Sequence, residues 1–174
     1  MDNKEFKFEG RFISVKVEES RFGMYEIVIG HSPFGGEIIA IHKDDVLLVE
    51  QFRHPTGLSM WELPGGAVDT TEDPLLGAIR EAEEEVNITF KPEDLTLVSV
   101  RYPVPSLMNV VTNTYLGHLP DDFDRTTVIH QASELDDARW FNIDELIENY
   151  KKDPASDING VVGSLLQAKA LGLI

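Results

Sequence analysis

Residues 61–88 read WELPGGAVDTTEDPLLGAIREAEEEVNI, and the rest of the chain is best read outward from them. Within 73–86, Leu75, Ile79, Ala82 and Val86 are spaced by four, three and four. At about 100° per residue they fall in a stripe roughly 60° wide, the signature of a helix with one face against a core. Glu81, Glu84 and Glu85 stand at i, i+3 and i+4, which places them together on a neighbouring face with Cβ atoms roughly 5–6 Å apart. That arrangement opposes helix formation. Like charges at this spacing repel by a few tenths of a kcal/mol per pair, and anions in the last turn face the negative end of the helix dipole. A solvated acidic face is the plain alternative, but such a face spreads its carboxylates and pairs them with lysine, whereas Arg80 is the only basic residue in this segment. Clustered carboxylate oxygens are what a hard divalent ion, Mg²⁺ or Mn²⁺, takes as ligands, and the ion cancels their repulsion. Ahead of the helix, Trp61 to Pro64 runs as a strand into Gly65 and Gly66, a turn whose paired glycines let the backbone come close to a ligand. A turn with no ligand is the competing reading of those two residues.

Beyond this stretch, β-branched or alternating runs at 12–17, 25–29, 37–42, 46–52, 60–63, 95–100, 110–116 and 138–141 are expected to be strands. Helices are expected at 73–86, at 143–150 behind a capping box of Asn142 and Glu145, and at 157–170. This order predicts an α+β domain rather than a regular βαβ repeat. At 174 residues we expect one domain, 1–174. The polar stretch 120–137 is expected to be a long loop carrying Asp121, Asp122, Asp124, His130, Glu134, Asp136 and Asp137. The formal charge of −16 disfavours a generic nucleic-acid surface, so an anionic ligand must be met by local cations. No apolar run approaches the roughly 20 residues of a membrane span, and the charged residues among 1–10 break any secretion signal. With no cysteine, disulfides and thiolate metal sites are excluded, and a cytoplasmic location is expected.

Gly66, five residues, Glu72, seven residues, then Arg80-Glu81-Ala82-Glu83-Glu84-Glu85-Val86-Asn87-Ile88 resembles the Nudix box, G-x5-E-x7-R-E-U-x-E-E-x-G-U with U aliphatic. A chance match to its six fixed residues is on the order of one in 10⁷ per starting point at ordinary residue frequencies. The one departure is Asn87 for glycine at a helix end, where asparagine is the next residue most able to take the left-handed cap conformation. The resemblance covers about 37–146; Gln51-Phe52-Arg53-His54-Pro55, Trp61-Glu62-Leu63-Pro64 and Ala138-Arg139-Trp140-Phe141 are similar to the ADP-ribose pyrophosphatase branch. After the box that branch has proline, glycine and then a glutamate; here Pro105 is kept, but Ser106 and Val110 stand in place of the other two.

The resemblance implies a Nudix-type α/β/α sandwich around a mixed β-sheet. It also implies Mg²⁺-dependent hydrolysis, with Mn²⁺ as an alternative ion, of a diphosphate bond in ADP-ribose or a related nucleoside diphosphate sugar, releasing a nucleoside monophosphate. Carried over by matching positions, Gly65, Glu81, Glu84 and Glu85 are the metal ligands. Glu84, Glu134 and Arg80 are the catalytic candidates, with Asp136 and Asp137 as rivals to Glu134 and with Glu72 and Arg80 bracing the box. Arg53, Glu62 and Pro105 are the substrate-binding candidates, and residues 1–30 are expected to pair with a second copy in a homodimer. A Nudix-fold sensor that binds without cleaving and an RNA 5′ pyrophosphohydrolase are the alternatives. The full carboxylate set argues against the first, and the lack of a basic cluster against the second. No acidic loop has the spacing of a calcium-binding EF-hand.

Overall fold

Two sheets carry the molecule, and helices cover both faces of the larger one. The computed structural model describes residues 5–129, 135–153 and 160–174. The small antiparallel sheet joins β1 (Glu5–Glu9), β2 (Ile13–Ser20) and β3 (Gly23–Gly30). The large one contains β4 (Phe34–His42), β5 (Asp45–Arg53), β6 (Leu58–Glu62), β7 (Gly65–Val68), β8 (Thr96–Arg101), β9 (Val111–His118) and β10 (Leu135–Asn142). Its main path runs β10-β5-β4-β9-β8, with β6 on β5 and β7 on β4. Only β4 and β9 pair in parallel, so the sheet is mixed.

Strand alternation sends side chains to two cores. Ile38 and Ala40, with Leu47 and Val49, face α1 (Pro74–Val86), where Ala78, Ala82 and Val86 meet them. Ile39, Ile41, Val46 and Leu48 face the other way, toward α2 (Ile143–Lys152) and α3 (Val161–Ala170). Each face is therefore apolar and covered by helix, which gives the expected α/β/α layering.

Three local expectations are corrected. The buried face of α1 is Gly77, Ala78, Ala82, Glu85 and Val86, while Leu75 and Ile79 sit only partly buried at its margin. The reason is side-chain size: a Cβ on Gly36 of β4 would lie 2.9 Å from the Ala78 Cβ, so small residues on both partners let the helix settle close to the sheet. Gly65–Gly66 is not a bare turn but the start of β7, paired with Glu37 and Gly36. Strand β10 begins at Leu135, inside the stretch read as loop. Helix α3 is described from Val161, and residues 157–159 of the expected helix lie outside the described residues.

Candidate functional site

The two ends of α1 set its rotation. Asp73 caps the start, its side chain accepting from the Leu75 N–H at 2.8 Å, and Pro74 occupies the first helical position, where no N–H is missed. Asn87 ends it in the left-handed conformation at φ 57°, as its replacement of glycine in the box requires. Held this way, the helix separates its three glutamates. Glu85 turns inward and is 8% exposed, Glu81 lies at the boundary, and Glu84 points to solvent.

Strand β7 passes over the inward side. The Gly65 N–H donates to Glu85 Oε2 at 2.9 Å. A Cβ on Gly66 would stand 2.5 Å from Glu81 Oε2, so the Glu81 carboxylate rests against bare backbone. Glu85 is pushed up to about 7, chiefly by burial and then by the charge of Glu81; the Gly65 N–H and the charge of Arg53 act in the opposite direction.

Arg80 gathers the remaining carboxylates. It donates through Nε and Nη2 to Glu72 at 3.2 and 3.1 Å, and through Nη1 to Glu81 at 2.7 Å and to Glu84 at 3.2 Å. These partners, Glu72 foremost, raise its proton affinity further above an already high value. Arg80 therefore braces the helix against the segment that precedes it, as the resemblance implies for Arg80 and Glu72.

A cleft of about 430 Å³ opens beside these groups. Arg53, Glu81, Glu85, Gly65 and Gly66 line it together with Ser32, Phe34, Gly35, Gln51, Ala67 and Val110. Of the residues singled out in the sequence, the structure brings Arg53, Gly65, Glu81 and Glu85 to one cavity. Glu62 stands behind Arg53, accepting from its Nε at 2.8 Å and from its Nη2, and so orients the guanidinium. Glu84 is engaged with Arg80 outside the cavity lining, and Pro105 is exposed in the loop after β8, also off the lining. Glu134 lies outside the described residues. Its rivals differ: Asp136 is exposed, and Asp137 pairs with Arg139 at 2.5 Å.

Six lining residues, Ser32, Phe34, Gly35, Gln51, Ala67 and Val110, were not read together as part of the site. Gln51 was within reach, since it shares a strand face with Arg53 by simple alternation. Ser32, Phe34 and Val110 were not, because they meet through long-range contacts, among them the parallel pairing of β4 with β9, in which Phe34 stands opposite Val111.

The donor set suits a hard divalent cation. Glu85 is a buried carboxylate that accepts a hydrogen bond from a neutral N–H, Glu81 is seated within the same cavity, and the Gly65 backbone adjoins both. Among the described residues no three acidic or imidazole groups already converge at coordinating distance, and the geometry supplies the reason: Arg80 holds both Glu81 and Glu84. Glu81, Glu85 and the Gly65 carbonyl are the groups that could hold the ion, with Glu84 joining them by leaving Arg80.

Comparison with known proteins identifies the family. The NUDIX domain model matches residues 37–159. The chain is 30% identical over 145 residues to a CMP-5′-(N-acetyl-N-hydroxy-3-aminopropyl)phosphonate hydrolase of Streptomyces rubellomurinus, covering 80% of this chain and 68% of that one. It is 27% identical over 149 residues to an ADP-ribose pyrophosphatase of Bacillus subtilis, covering 82% and 75%. A crystal structure of a MutT/nudix family protein from Enterococcus faecalis superposes with a TM-score of 0.52 at 22% identity, covering 63% of this chain and 43% of that one. With the family model spanning the helix, its glycine strand and the sheet beneath them, the chain belongs to the Nudix hydrolase family.

Proposed function

We propose that this protein hydrolyses the diphosphate bond of ADP-ribose or a related nucleoside diphosphate sugar in a Mg²⁺-dependent reaction, releasing a nucleoside monophosphate. The observation that carries the reading is the Glu85 carboxylate, buried next to Glu81 beneath the Gly65–Gly66 strand and facing the same cleft as Arg53. Bound divalent ions supply activation of the attacking water and neutralise charge developing on the diphosphate oxygens. The residues of the chain do the rest. Glu81, Glu85 and the Gly65 carbonyl would hold the cation. Glu84, once released from Arg80, serves as a further ligand or takes the proton of the attacking water, a role that Glu134 shares as candidate base. Arg53, aimed by Glu62, grips the diphosphate oxygens through a planar guanidinium that matches them. Arg80 and Glu72 keep α1 in place while Glu84 moves. The relatives differ in the nucleotide their names record, CMP in one and ADP in the other, which supports the diphosphate-type linkage more strongly than any one base.

Phe8 and Met24 on the small sheet, and Phe12 and Phe22 in the turns at the two ends of β2, are 54%, 68%, 70% and 80% exposed, apolar groups that support homodimer formation through residues 1–30. The test of function is a hydrolysis screen of ADP-ribose, ADP-glucose, UDP-glucose and CMP-linked compounds with and without Mg²⁺. Release of a nucleoside monophosphate only with metal is expected. A protein that binds these compounds with metal and cleaves none is a sensor, and the reading falls.

A further inference from the structure

The charged residues that line the cleft are Arg53, Glu81 and Glu85. Ser32, Phe34 and Val110 also line it, and none of them carries charge, in a chain where 26% of residues do. The segments that carry these three are clamped together. The Gly30 N–H donates to Asn109 Oδ1 at 2.9 Å, immediately before Val110, and the Val111 N–H donates to the Pro33 carbonyl at 2.8 Å, immediately after it. Two residues earlier, the Val28 N–H donates to the Leu107 carbonyl at 2.9 Å. Val110 itself lies on the backbone of Gly30, where an added Cβ would come within 2.9 Å of its Cγ2. The loop that follows β8 is thus seated on the end of β3, and the seat determines where Val110 meets the cleft.

We propose that Val110, with Phe34 and Ser32, forms a subsite for an uncharged moiety of the substrate, and that Asn109 is the positioning residue that holds Val110 there. The inference rests on the diphosphate-hydrolase reading and adds a substrate class to it: nucleoside diphosphate compounds whose second moiety bears no carboxylate or phosphate. An ionised group placed against a valine and a phenylalanine loses hydration with no counter-charge to replace it. The carboxylates of Glu81 and Glu85, in the same cleft, repel it further. A neutral sugar or acyl chain meets neither penalty, and the Ser32 hydroxyl is available to one of its polar groups.

Two pairs of compounds test this, each pair differing by one anionic group: UDP-glucose against UDP-glucuronate, and ADP-ribose against ADP-ribose with a phosphate on its terminal ribose. Hydrolysis and calorimetric binding are both measured with Mg²⁺. The wild type should favour the neutral member by about tenfold or more in kcat/KM or in Kd, the scale of a pocket that leaves one charged group unmatched. Val110→Lys should narrow or reverse that preference. Asn109→Ala should weaken it through KM with kcat little changed, and Asn109→Asp, which keeps an acceptor for the Gly30 N–H, should restore it. Equal treatment of both members by the wild type, or an unchanged ratio in Val110→Lys, overturns the inference while leaving hydrolysis standing. If nothing is cleaved, the same preference in Kd sustains the subsite and only the hydrolase reading falls. If no member of either pair binds, the subsite is refuted.

Discussion

Replacing Glu85 by glutamine should stabilise the metal-free protein, and only above a definable pH. The carboxyl of Glu85 sits at about 7 in the fold against 4.5 unfolded, because burial and the neighbouring Glu81 and Glu62 disfavour its charge more than the Gly65 N–H and Arg53 favour it. A folded value raised above the unfolded one gives stability that is complete below 4.5 and is lost as pH rises through about 7. At about 1.4 kcal/mol per pH unit, the loss amounts to about 3 kcal/mol by pH 8. Glutamine keeps an oxygen to accept from the Gly65 N–H and carries no charge to desolvate. In EDTA at pH 8, Glu85→Gln should therefore melt roughly 5–10 °C above wild type, the range expected for a gain of this size in a chain of this length. Near pH 4.5 the two should converge. Thermal or urea melts across that range make the comparison, and either a variant no more stable than wild type at pH 8 or a gain independent of pH would refute the reasoning. With Mg²⁺ the order should reverse, since the cation removes the penalty only where the carboxylate remains.

The other predictions concern metal, glycine and assembly. Millimolar Mg²⁺ or Mn²⁺ should raise the wild-type melting temperature by mass action, with a smaller rise in Glu81→Gln; an unchanged melting curve at saturating metal would remove the carboxylate site. Gly66→Ala should displace the Glu81 carboxylate from the position 2.5 Å from the new Cβ, weakening Mg²⁺ binding measured by calorimetry at least tenfold, and unaltered affinity would contradict that seat. Light scattering should show a homodimer, and deletion of residues 1–30 a monomer; a monomeric full chain at high micromolar concentration would count against pairing through the small sheet.

What was legible in the sequence was what neighbouring residues dictate. The helix at 73–86, its Asp73 and Asn87 ends and the Asn142 cap of α2 all follow from local spacing and capping chemistry, and each stands as expected. Spacing placed the three glutamates on one stretch of helix, but their division into buried Glu85 and exposed Glu84 was not visible, because it depends on Gly36 and Ala78 letting the helix approach the sheet. Strand β1 did leave a signal, the alternation of Phe6 and Phe8 with Glu5, Lys7 and Glu9, though a five-residue run is easily taken for a charged leader. Strand β7 left almost none, being two glycines, an alanine and a valine. The uncharged lining of the cleft was unreadable for a different reason. Ser32 and Val110 are 78 positions apart, and the parallel pairing of β4 with β9 and the hydrogen bonds of β3 to the loop after β8 bring their neighbours together.

Steady-state hydrolysis of ADP-ribose and its relatives by wild type and by Glu84→Gln bears most directly on the central claim, that the carboxylates of α1 carry a metal-dependent diphosphate cleavage. The substitution removes one negative charge, relieves repulsion with Glu81 and Glu85, and touches no core residue, so both proteins should fold alike in thermal melts. Wild-type turnover should vanish in EDTA and return with Mg²⁺. In Glu84→Gln at saturating Mg²⁺, kcat should drop by roughly 10² or more, the scale of a lost proton-transfer or electrostatic group, with a smaller change in substrate affinity. Undiminished wild-type turnover in EDTA, or a fully active Glu84→Gln, would contradict the account.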